Sequence, residues 1–137
     1  MGAREGAAMK EKIMTRIEHV NITVSDADKT AALMQHLFGW RIRWSGSAQN
    51  GGHTVHVGTE DQYLAIYSDS RRTYSAEDFI KGRPLNHVGV EVDDLAAVEA
   101  KVVEEGLVPF SHGDYPPGRR FYFLDPDGTE YEVVSYR

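Results

Sequence analysis

The sequence contains no cysteine, and this absence removes several kinds of chemistry at once. Disulfide bonds, thiolate metal ligands and a cysteine nucleophile are all excluded for these 137 residues. No run of about 18 apolar residues is present, as a membrane-spanning helix would need. Residues 1–12 lack the apolar stretch of a signal peptide, so we expect residues 1–13 to be a disordered leader on a cytoplasmic protein.

Positive charge is also scarce. The chain has 15 lysines and arginines against 21 aspartates and glutamates, which gives a net charge of −6. Binding to nucleic acid phosphates needs a clustered basic surface, and the pairs Arg71-Arg72 and Arg119-Arg120 are too short to form one. We therefore expect neither a nucleic acid nor a membrane as a partner.

Two similar stretches, each with one histidine, organise what the chain does contain. Residues 17–27 read I-E-H-V-N-I-T-V-S-D-A, and residues 85–95 read L-N-H-V-G-V-E-V-D-D-L. In both, apolar residues alternate with polar or small ones, which predicts strands with one buried face. His19 and His87 lie on the opposite, polar faces. The repeated context indicates a pseudo-symmetric domain with two equivalent histidines.

The remaining pattern predicts two βαβββ modules, at about 14–68 and 85–137, joined by a linker at 69–84. The first helix carries an apolar stripe, and we expect Ser25 to cap its start and Gly39 its end. Trp40, Ile42 and Trp44 alternate with arginines, which predicts the second strand, and the tryptophans are interpreted as core or cavity wall. Residues 111–118 are predicted to be a loop that serves as a lid, with Arg119 or Arg120 free for an anionic substrate. The predicted strands are 16–24, 40–44, 53–57, 62–67, 86–92, 107–110, 120–124 and 130–136, and the second helix is 95–105.

A third candidate for chemistry is Glu132, in the stretch T-E-Y-E-V-V-S. A buried carboxylate is unfavourable unless it is paired or metal-bound. Together with His19 and His87, it forms a plausible ligand set for a divalent first-row metal with positions left open for substrate. Taken singly, a strand histidine is more often structural, and a strand glutamate is more often solvated.

Three stretches together resemble the vicinal oxygen chelate superfamily, which includes glyoxalase I, bleomycin-resistance proteins and extradiol dioxygenases. They are residues 17–24, residues 85–92 and the stretch F-Y-F-L-D-P-D-G-T-E-Y-E-V-V at 121–134. The resemblance implies an α+β fold of two βαβββ modules forming a curled eight-stranded cup. It also implies a divalent ion (Fe, Mn, Zn, Ni or Co) on His19, His87 and Glu132, and a small-molecule substrate held through vicinal oxygens.

The resemblance also places the fourth ligand position of this superfamily at Ala65. Glyoxalase I uses a carboxylate there, so we expect a dioxygenase or a lyase or isomerase type of reaction and not glyoxalase I activity. The catalytic candidates are His53, His112, Tyr115 and Tyr122. A second hypothesis is a metal-free ligand-sequestering protein of the bleomycin-resistance type. We also expect a homodimer, because curled sheets leave edge strands that must be covered.

Overall fold

Two βαβββ modules make up the computed structural model, which describes residues 16–48, 51–69, 79–82 and 85–137. The first module consists of β1 (His19–Thr23), α1 (Ala27–Phe38), β2 (Arg41–Ser47), β3 (His53–Gly58) and β4 (Tyr63–Ser68). The second consists of β5 (Val88–Glu91), α2 (Leu95–Glu104), β6 (Phe110–Tyr115), β7 (Gly118–Leu124) and β8 (Glu130–Ser135). The predicted α+β class and element order are confirmed. The predicted leader and most of the predicted linker lie outside the described residues.

Each module forms one four-stranded mixed sheet. The strand orders are β1-β4-β3-β2 and β5-β8-β7-β6, so β1 and β5 occupy equivalent edges. β1 runs parallel to β4 and β5 runs parallel to β8, while the other pairs are antiparallel. Side chains alternate across a strand, so each sheet has a face packed on its helix and a second face, which we call the open face. No helix in the described ranges is long and apolar enough to cross a membrane.

One hydrophobic core joins the two modules. It includes Ile22 and Ile66 from the first sheet, Phe121 and Val133 from the second, and apolar residues of both helices. Burying one such side chain contributes roughly 1.5–3 kcal/mol to the free energy of unfolding. At the surface, Nε2 of His36 on α1 lies 3.2 Å from Glu104 on α2. The helix-covered faces therefore pack towards a shared core, which leaves the open faces for other contacts.

Helix α1 begins one residue later than the sequence suggests. Its N-cap is Asp26, whose carboxylate accepts a hydrogen bond from the backbone N–H of Lys29 at 3.2 Å. The predicted cap at Ser25 is wrong, because the Ser25 amide and hydroxyl both donate to Asp127 Oδ1, at 3.0 and 2.7 Å. These bonds tie the start of α1 to the D-P-D-G turn of the other module. The predicted end at Gly39 is confirmed, with φ at 71° as a left-handed cap requires.

The predicted loop and lid at residues 111–118 are wrong. This segment is the β6–β7 hairpin, in which Asp114 pairs with Arg119 and Tyr115 pairs with Gly118. The glycines and prolines of the segment indicate a turn, but only Pro116 and Pro117 form it. From Gly113 to Tyr115 the segment pairs with β7, with an irregularity between Phe110 and Gly113, so we no longer interpret it as a lid.

The D-P-D-G turn before β8 contains a buried carboxyl group. Asp125 is 3% exposed, and its Oδ1 accepts hydrogen bonds from the backbone N–H groups of Asp127 and Thr129, both at 2.9 Å. Burial raises the pKa of Asp125 from 3.8 to about 6, with a further contribution from the Asp127 charge, while the backbone hydrogen bonds oppose the shift. A raised carboxyl pKa means that the folded protein binds this proton more tightly than the unfolded chain does.

The raised pKa of Asp125 predicts a stability contribution that grows as the pH falls through about 6 towards 3.8. An asparagine side chain in its place would keep the backbone bonds without titrating. We expect the free energy of unfolding of the native chain, relative to Asp125→Asn, to rise by about 1 kcal/mol between about pH 7.5 and about pH 5. Urea denaturation of both proteins at the two pH values measures this difference. A difference that stays constant would show that Asp125 is ionised in the folded protein with an ordinary pKa.

Candidate functional site

His87 and Glu132 meet on the open face of the second sheet. Gly89 pairs with Glu132 across β5 and β8, and His87 lies two residues before Gly89 on the same face. The Nε2 of His87 lies 3.1 Å from Oε1 of Glu132, and the side chains are 31% and 14% exposed. The other ring nitrogen, Nδ1, donates to the Asn86 side-chain oxygen at 2.8 Å. The imidazole is therefore held with Nε2 directed at the carboxylate.

The second carboxylate oxygen of Glu132 is held by Arg120. Arg120 Nη1 donates to Oε2 at 2.9 Å, and both side chains are 14% exposed. Arg120 also lies over the Tyr115 ring, with its guanidinium carbon 4.8 Å from the ring centroid. Arg120 is thus paired with Glu132 and is not free for a substrate anion, so of the two predicted arginines only Arg119 keeps that expectation.

Tyr122 completes the surroundings of this pair. Its ring packs edge-on against His87 at 5.7 Å between centroids, and it pairs with Glu132 across β7 and β8. Burial raises the pKa of the Tyr122 hydroxyl, and the nearby Glu132 carboxylate raises it further. Tyr115 and Tyr122, two of the four catalytic candidates, therefore lie around Glu132.

His19 lies on the open face of the first sheet and not beside His87. Its Nδ1 donates to Glu18 Oε1 at 3.0 Å, and its ring stacks on Tyr63 at 4.9 Å. A cavity of about 550 Å³ between the modules is lined by His19, Tyr63 and Gly89 among others. Within one chain, the described residues contain no group of three His, Cys, Asp or Glu residues that could hold a metal ion. One chain thus brings together two of the three predicted ligands.

The other two catalytic candidates lie on the helix-covered faces. His53 Nε2 lies 3.1 Å from Asp28 on α1, and His112 Nε2 lies 2.7 Å from Glu99 on α2. The His112 ring also stacks against Phe121, a fully buried core residue. Neither histidine is near the His87–Glu132 pair. Sequence spacing could not separate these histidines from those on the open faces.

Ala65 occupies the position in the first sheet that Glu132 occupies in the second. Asn21, two residues after His19, pairs with Ala65, as Gly89, two residues after His87, pairs with Glu132. Ala65 is 2% exposed. The position in the first sheet that is equivalent to Glu132 therefore carries a methyl group, which has no atom that could bind a metal ion.

A row of four rings crosses the open face of the first sheet, one from each strand. We call Trp44, His56, Tyr63 and His19 the ring row. Neighbouring centroids are 5.0, 4.6 and 4.9 Å apart, in that order. Arg43 lies over the same surface, with its guanidinium carbon 4.3 Å from the Tyr63 centroid.

A bulge in β2 puts Arg43 and Trp44 beside this row. Ile42 pairs with Val57 and Trp44 pairs with His56, so Arg43 is an extra residue between the two pairs. Bulges change the direction of side chains and are frequent next to functional sites. The strict alternation predicted from the sequence misses this feature, because no local signal in R-I-R-W marks the bulge.

The titratable groups of the row favour definite protonation states. Burial lowers the pKa of His56, and the charges of His19 and Arg43 lower it further, so the imidazole is mainly neutral near pH 7. The hydrogen bonds from His19 and Tyr63 lower the pKa of Glu18. Burial raises the pKa of Tyr63, and its hydrogen bond to Glu18 adds to this. Tyr63 and His56 are therefore mainly neutral near pH 7, and the Arg43 guanidinium lies over the Tyr63 ring.

Comparison with known families agrees with the fold. Residues 16–133 match the model of the Glyoxalase/Bleomycin resistance protein/Dioxygenase superfamily. The chain therefore belongs to this superfamily.

Individual relatives are distant. The chain is 26% identical over 122 residues to a probable trivalent organoarsenical cleaving enzyme of Bacillus subtilis (strain 168), an alignment that covers 83% of this chain and 75% of that protein. A glyoxylase/bleomycin resistance protein/dioxygenase domain from Frankia sp. EAN1pec superposes with a TM-score of 0.77 at 19% identity, covering 91% of this chain and 100% of that one. The fosfomycin resistance protein FosX of Listeria monocytogenes, in complex with Mn(II) and sulfate, superposes with a TM-score of 0.67 at 18% identity, covering 90% and 93%. The two structural likenesses establish the fold, and the Mn(II) is a property of FosX.

Proposed function

We propose that this protein is a metal-dependent enzyme in which His87 and Glu132 of one chain, with His19 of a second chain, hold a divalent first-row ion. Such an ion, when bound, acts as a Lewis acid towards two neighbouring oxygens of a small substrate, as a dioxygenase, lyase or isomerase reaction requires. The observation that carries the proposal is the 3.1 Å separation between His87 Nε2 and Glu132 Oε1.

This separation suits two ligands of one ion. Because Nδ1 of His87 donates to Asn86, Nε2 faces a carboxylate oxygen and, in the neutral form of the ring, does so with its lone pair. Two lone pairs so close repel each other unless a proton or a cation lies between them. Two ligand atoms at about 2.1 Å from an ion, at a right angle to each other, are about 3 Å apart. Imidazole nitrogen and carboxylate oxygen together suit Mn, Fe, Co, Ni or Zn.

The residues behind the ligands support the same role. Asn86 and Glu18 hold Nδ1 of the two histidines, which leaves each Nε2 free to ligate. Arg120 holds the outer oxygen of Glu132 and so directs the inner one towards His87. Tyr122, whose pKa is raised by burial, remains protonated and interacts with the Glu132 carboxylate, which helps to hold it in place.

A second chain would bring His19 to the other two ligands. β1 carries His19, and β5 begins directly after His87. Both are edge strands that pair on one side only within the described sheets. Soluble proteins cover such edges. A two-fold dimer that joins β1 of one chain to β5 of the other would cover both edges and complete two equivalent sites.

We do not expect this chain to cleave trivalent organoarsenicals, as the name of the Bacillus subtilis relative suggests for that protein. Trivalent arsenic is a soft centre that prefers sulfur ligands, and these 137 residues contain no cysteine. A metal-free ligand-binding protein is the second candidate function. It is favoured by the ring row, whose contacts need no metal ion.

Calorimetric titration of chelator-treated protein with Mn²⁺ tests the proposal. We expect one ion per chain, and we expect His87→Ala or Glu132→Gln to weaken binding by more than about 100-fold, since even outer partners of ligands contribute 10–100-fold. His112→Ala is the matched control, because His112 also pairs a strand histidine with a glutamate but lies on the helix-covered face. Absence of Mn²⁺ binding, with Zn²⁺, Co²⁺, Ni²⁺ and Fe²⁺ also failing, would favour the metal-free binding protein.

A further inference from the structure

We propose that Arg43, together with His56, binds an acid group of the substrate, which makes the substrate of the proposed metal site a small aliphatic acid with its vicinal oxygens a few bonds from that group. This inference rests on the proposed function for the position of the vicinal oxygens. The anion-binding groups themselves belong to one chain. They lie on the open face of the first sheet, which also carries His19.

Arg43 carries a positive charge that no acid in the described part of the chain neutralises. It forms no ion pair there, and its Nη1 is a buried nitrogen without a hydrogen-bond partner among those residues. A buried donor that has lost its water without gaining an acceptor is unfavourable. Four other arginines each lie within 3.9 Å of a carboxylate oxygen; they are Arg16, Arg41, Arg120 and Arg137. An acid group of a ligand would supply the anion that Arg43 lacks.

Glu18 is the acid closest in influence to Arg43, but it is already occupied. Its Oε1 accepts hydrogen bonds from His19 at 3.0 Å and from Tyr63 at 3.2 Å. These two bonds lower the pKa of Glu18 the most, and the charge of Arg43 contributes the least. Glu18 therefore serves His19 and leaves the donors of Arg43 without an acceptor.

His56 offers a second donor without an acceptor, beside the first. The other five histidines each have a hydrogen bond to an acid or amide side chain, at 2.7–3.2 Å. His56 has only ring contacts among the described residues, with Trp44 at 5.0 Å and Tyr63 at 4.6 Å between centroids. These rings hold the imidazole from two sides, and its neutral form keeps one N–H donor. Because Arg43 and His56 both contact Tyr63, one acid group can accept from both.

The bulge in β2 accounts for the position of Arg43. Trp44 pairs with His56 on the open face, and strict alternation would put its neighbour Arg43 on the opposite face. Arg43 is instead an extra residue in the strand, and its guanidinium reaches the Tyr63 ring. Bulges often direct a side chain towards a functional site. The irregularity therefore places a cation on the same face as His19.

The second sheet has no comparable cation on its open face among the described residues. Arg120 and Lys81 are each paired with a glutamate of β8, at 2.9 and 2.6 Å. By alternation along β7, Arg119 lies on the face opposite to that of Arg120. Arg43 is therefore the unpaired cation that the described open faces offer to a substrate.

Two distances from the Tyr63 ring limit the ligand. The guanidinium carbon of Arg43 lies 4.3 Å from the ring centroid, and the His19 ring lies 4.9 Å from it. An acid group on Arg43 and an oxygen on an ion at His19 are therefore only a few bonds apart. The rings of His19 and His56 already stack on Tyr63. Since its ring faces are covered, we expect an aliphatic chain between the acid group and the vicinal oxygens.

Calorimetric titration of Mn²⁺-loaded protein with three α-hydroxy acids tests this inference. Lactate has the chelating hydroxyl and carboxylate and no further acid group, malate adds a carboxylate, and 3-phosphoglycerate adds a phosphate. We expect malate or 3-phosphoglycerate to bind at least about 10-fold more tightly than lactate, since a hydrogen bond to a charged group is worth about that factor. The tighter of the two identifies the acid group as a carboxylate or a phosphate.

Substitutions assign the gain to residues. Arg43→Gln should weaken binding of the tighter probe about 10-fold and leave lactate unchanged, because lactate has no second acid group. His56→Phe, which keeps a ring but removes the N–H, should weaken the same probe by a smaller factor. Arg41→Gln is the matched control on β2, because Arg41 already pairs with Glu60, and it should change none of the affinities.

A measurement without metal separates this inference from the proposed function. In chelator-treated protein, sulfate at about millimolar concentration, the weak end of affinities, should shift the NMR signals of the Arg43 Nε–H and the His56 ring until they saturate. Arg43→Gln should abolish the shift at His56, and Arg41→Gln should not. These shifts without Mn²⁺ binding would reject the proposed function and keep the anion site. Mn²⁺ binding without these shifts would reject the anion site and keep the proposed function.

Three further outcomes would overturn the inference. They are equal affinities for all three α-hydroxy acids, equal effects of Arg41→Gln and Arg43→Gln, and a change from dimer to monomer in Arg43→Gln with unchanged acid affinities. The last result would assign Arg43 to an acid of the second chain.

Discussion

An equimolar mixture of His19→Ala and His87→Ala chains, refolded together, is expected to regain the tight Mn²⁺ binding that each variant lacks alone. In the mixed dimer, intact His19 of one chain would meet intact His87 and Glu132 of the other, and the second site would lack both histidines. Random pairing makes about half of the dimers mixed, so about a quarter of the wild-type sites should return. Mn²⁺ titration counts these sites.

Two further mixtures of variant chains serve as matched controls. His87→Ala mixed with Glu132→Gln should not regain binding, because both changes affect residues that the same chain contributes to a site. His19→Ala mixed with Glu132→Gln should regain it. Recovery in every mixture, or in none while the native protein binds Mn²⁺, would contradict a site shared between chains in this way.

Negligible glyoxalase I activity is the second large effect that we expect. Proton transfer between the carbons of the methylglyoxal–glutathione adduct needs a positioned base, which contributes roughly 10²–10⁴-fold. The register places Ala65 at the position equivalent to Glu132, which is where the resemblance to glyoxalase I implies the carboxylate. Formation of the thioester, followed after loading with Ni²⁺, Co²⁺ or Zn²⁺, should stay far below a typical turnover of about 10 s⁻¹. Turnover near that value would show that another group, such as His56, supplies the base.

Substitution of Ala65 itself extends this prediction. Ala65→Glu would place a carboxylate at a site that is 2% exposed, where it is unfavourable unless it is bound to a cation. We therefore expect Ala65→Glu to be less stable than the native chain without metal and to bind Mn²⁺ at least about 10-fold more tightly. Ala65→Gln, of equal size and neutral, should be destabilised without that gain. Equal Mn²⁺ affinities for the two variants would place Ala65 away from the ion.

The sequence alone predicts the two histidine strands and the location of Glu132, because alternation in a strand fixes which side chains share a face. The same rule fails at β2. The bulge at Arg43 depends on how β2 and β3 pair, and only long-range pairing decides it. The capping prediction at Ser25 fails for a similar reason. A rule based on neighbouring residues cannot include Asp127, which lies 102 residues away and accepts the Ser25 hydrogen bond.

For the candidate site, too, the sequence predicts which residues are candidates but not how long-range packing arranges them. The sequence predicts His19, His87 and Glu132 as one ligand set, but it contains no information on whether one chain or two would contribute them. Likewise, His112 and His87 are both strand histidines, and only packing against α2 and Phe121 separates the first from the site.

Pulsed electron paramagnetic resonance of Mn²⁺-loaded protein tests the metal centre most directly, because it detects the nitrogens bound to the ion. We expect modulation from two imidazole nitrogens in the native protein. In His19→Ala, loaded at saturating Mn²⁺, we expect modulation from one. A spectrum without nitrogen modulation, or one that is the same in the native protein, His19→Ala and His87→Ala, would contradict a metal site formed by these two histidines.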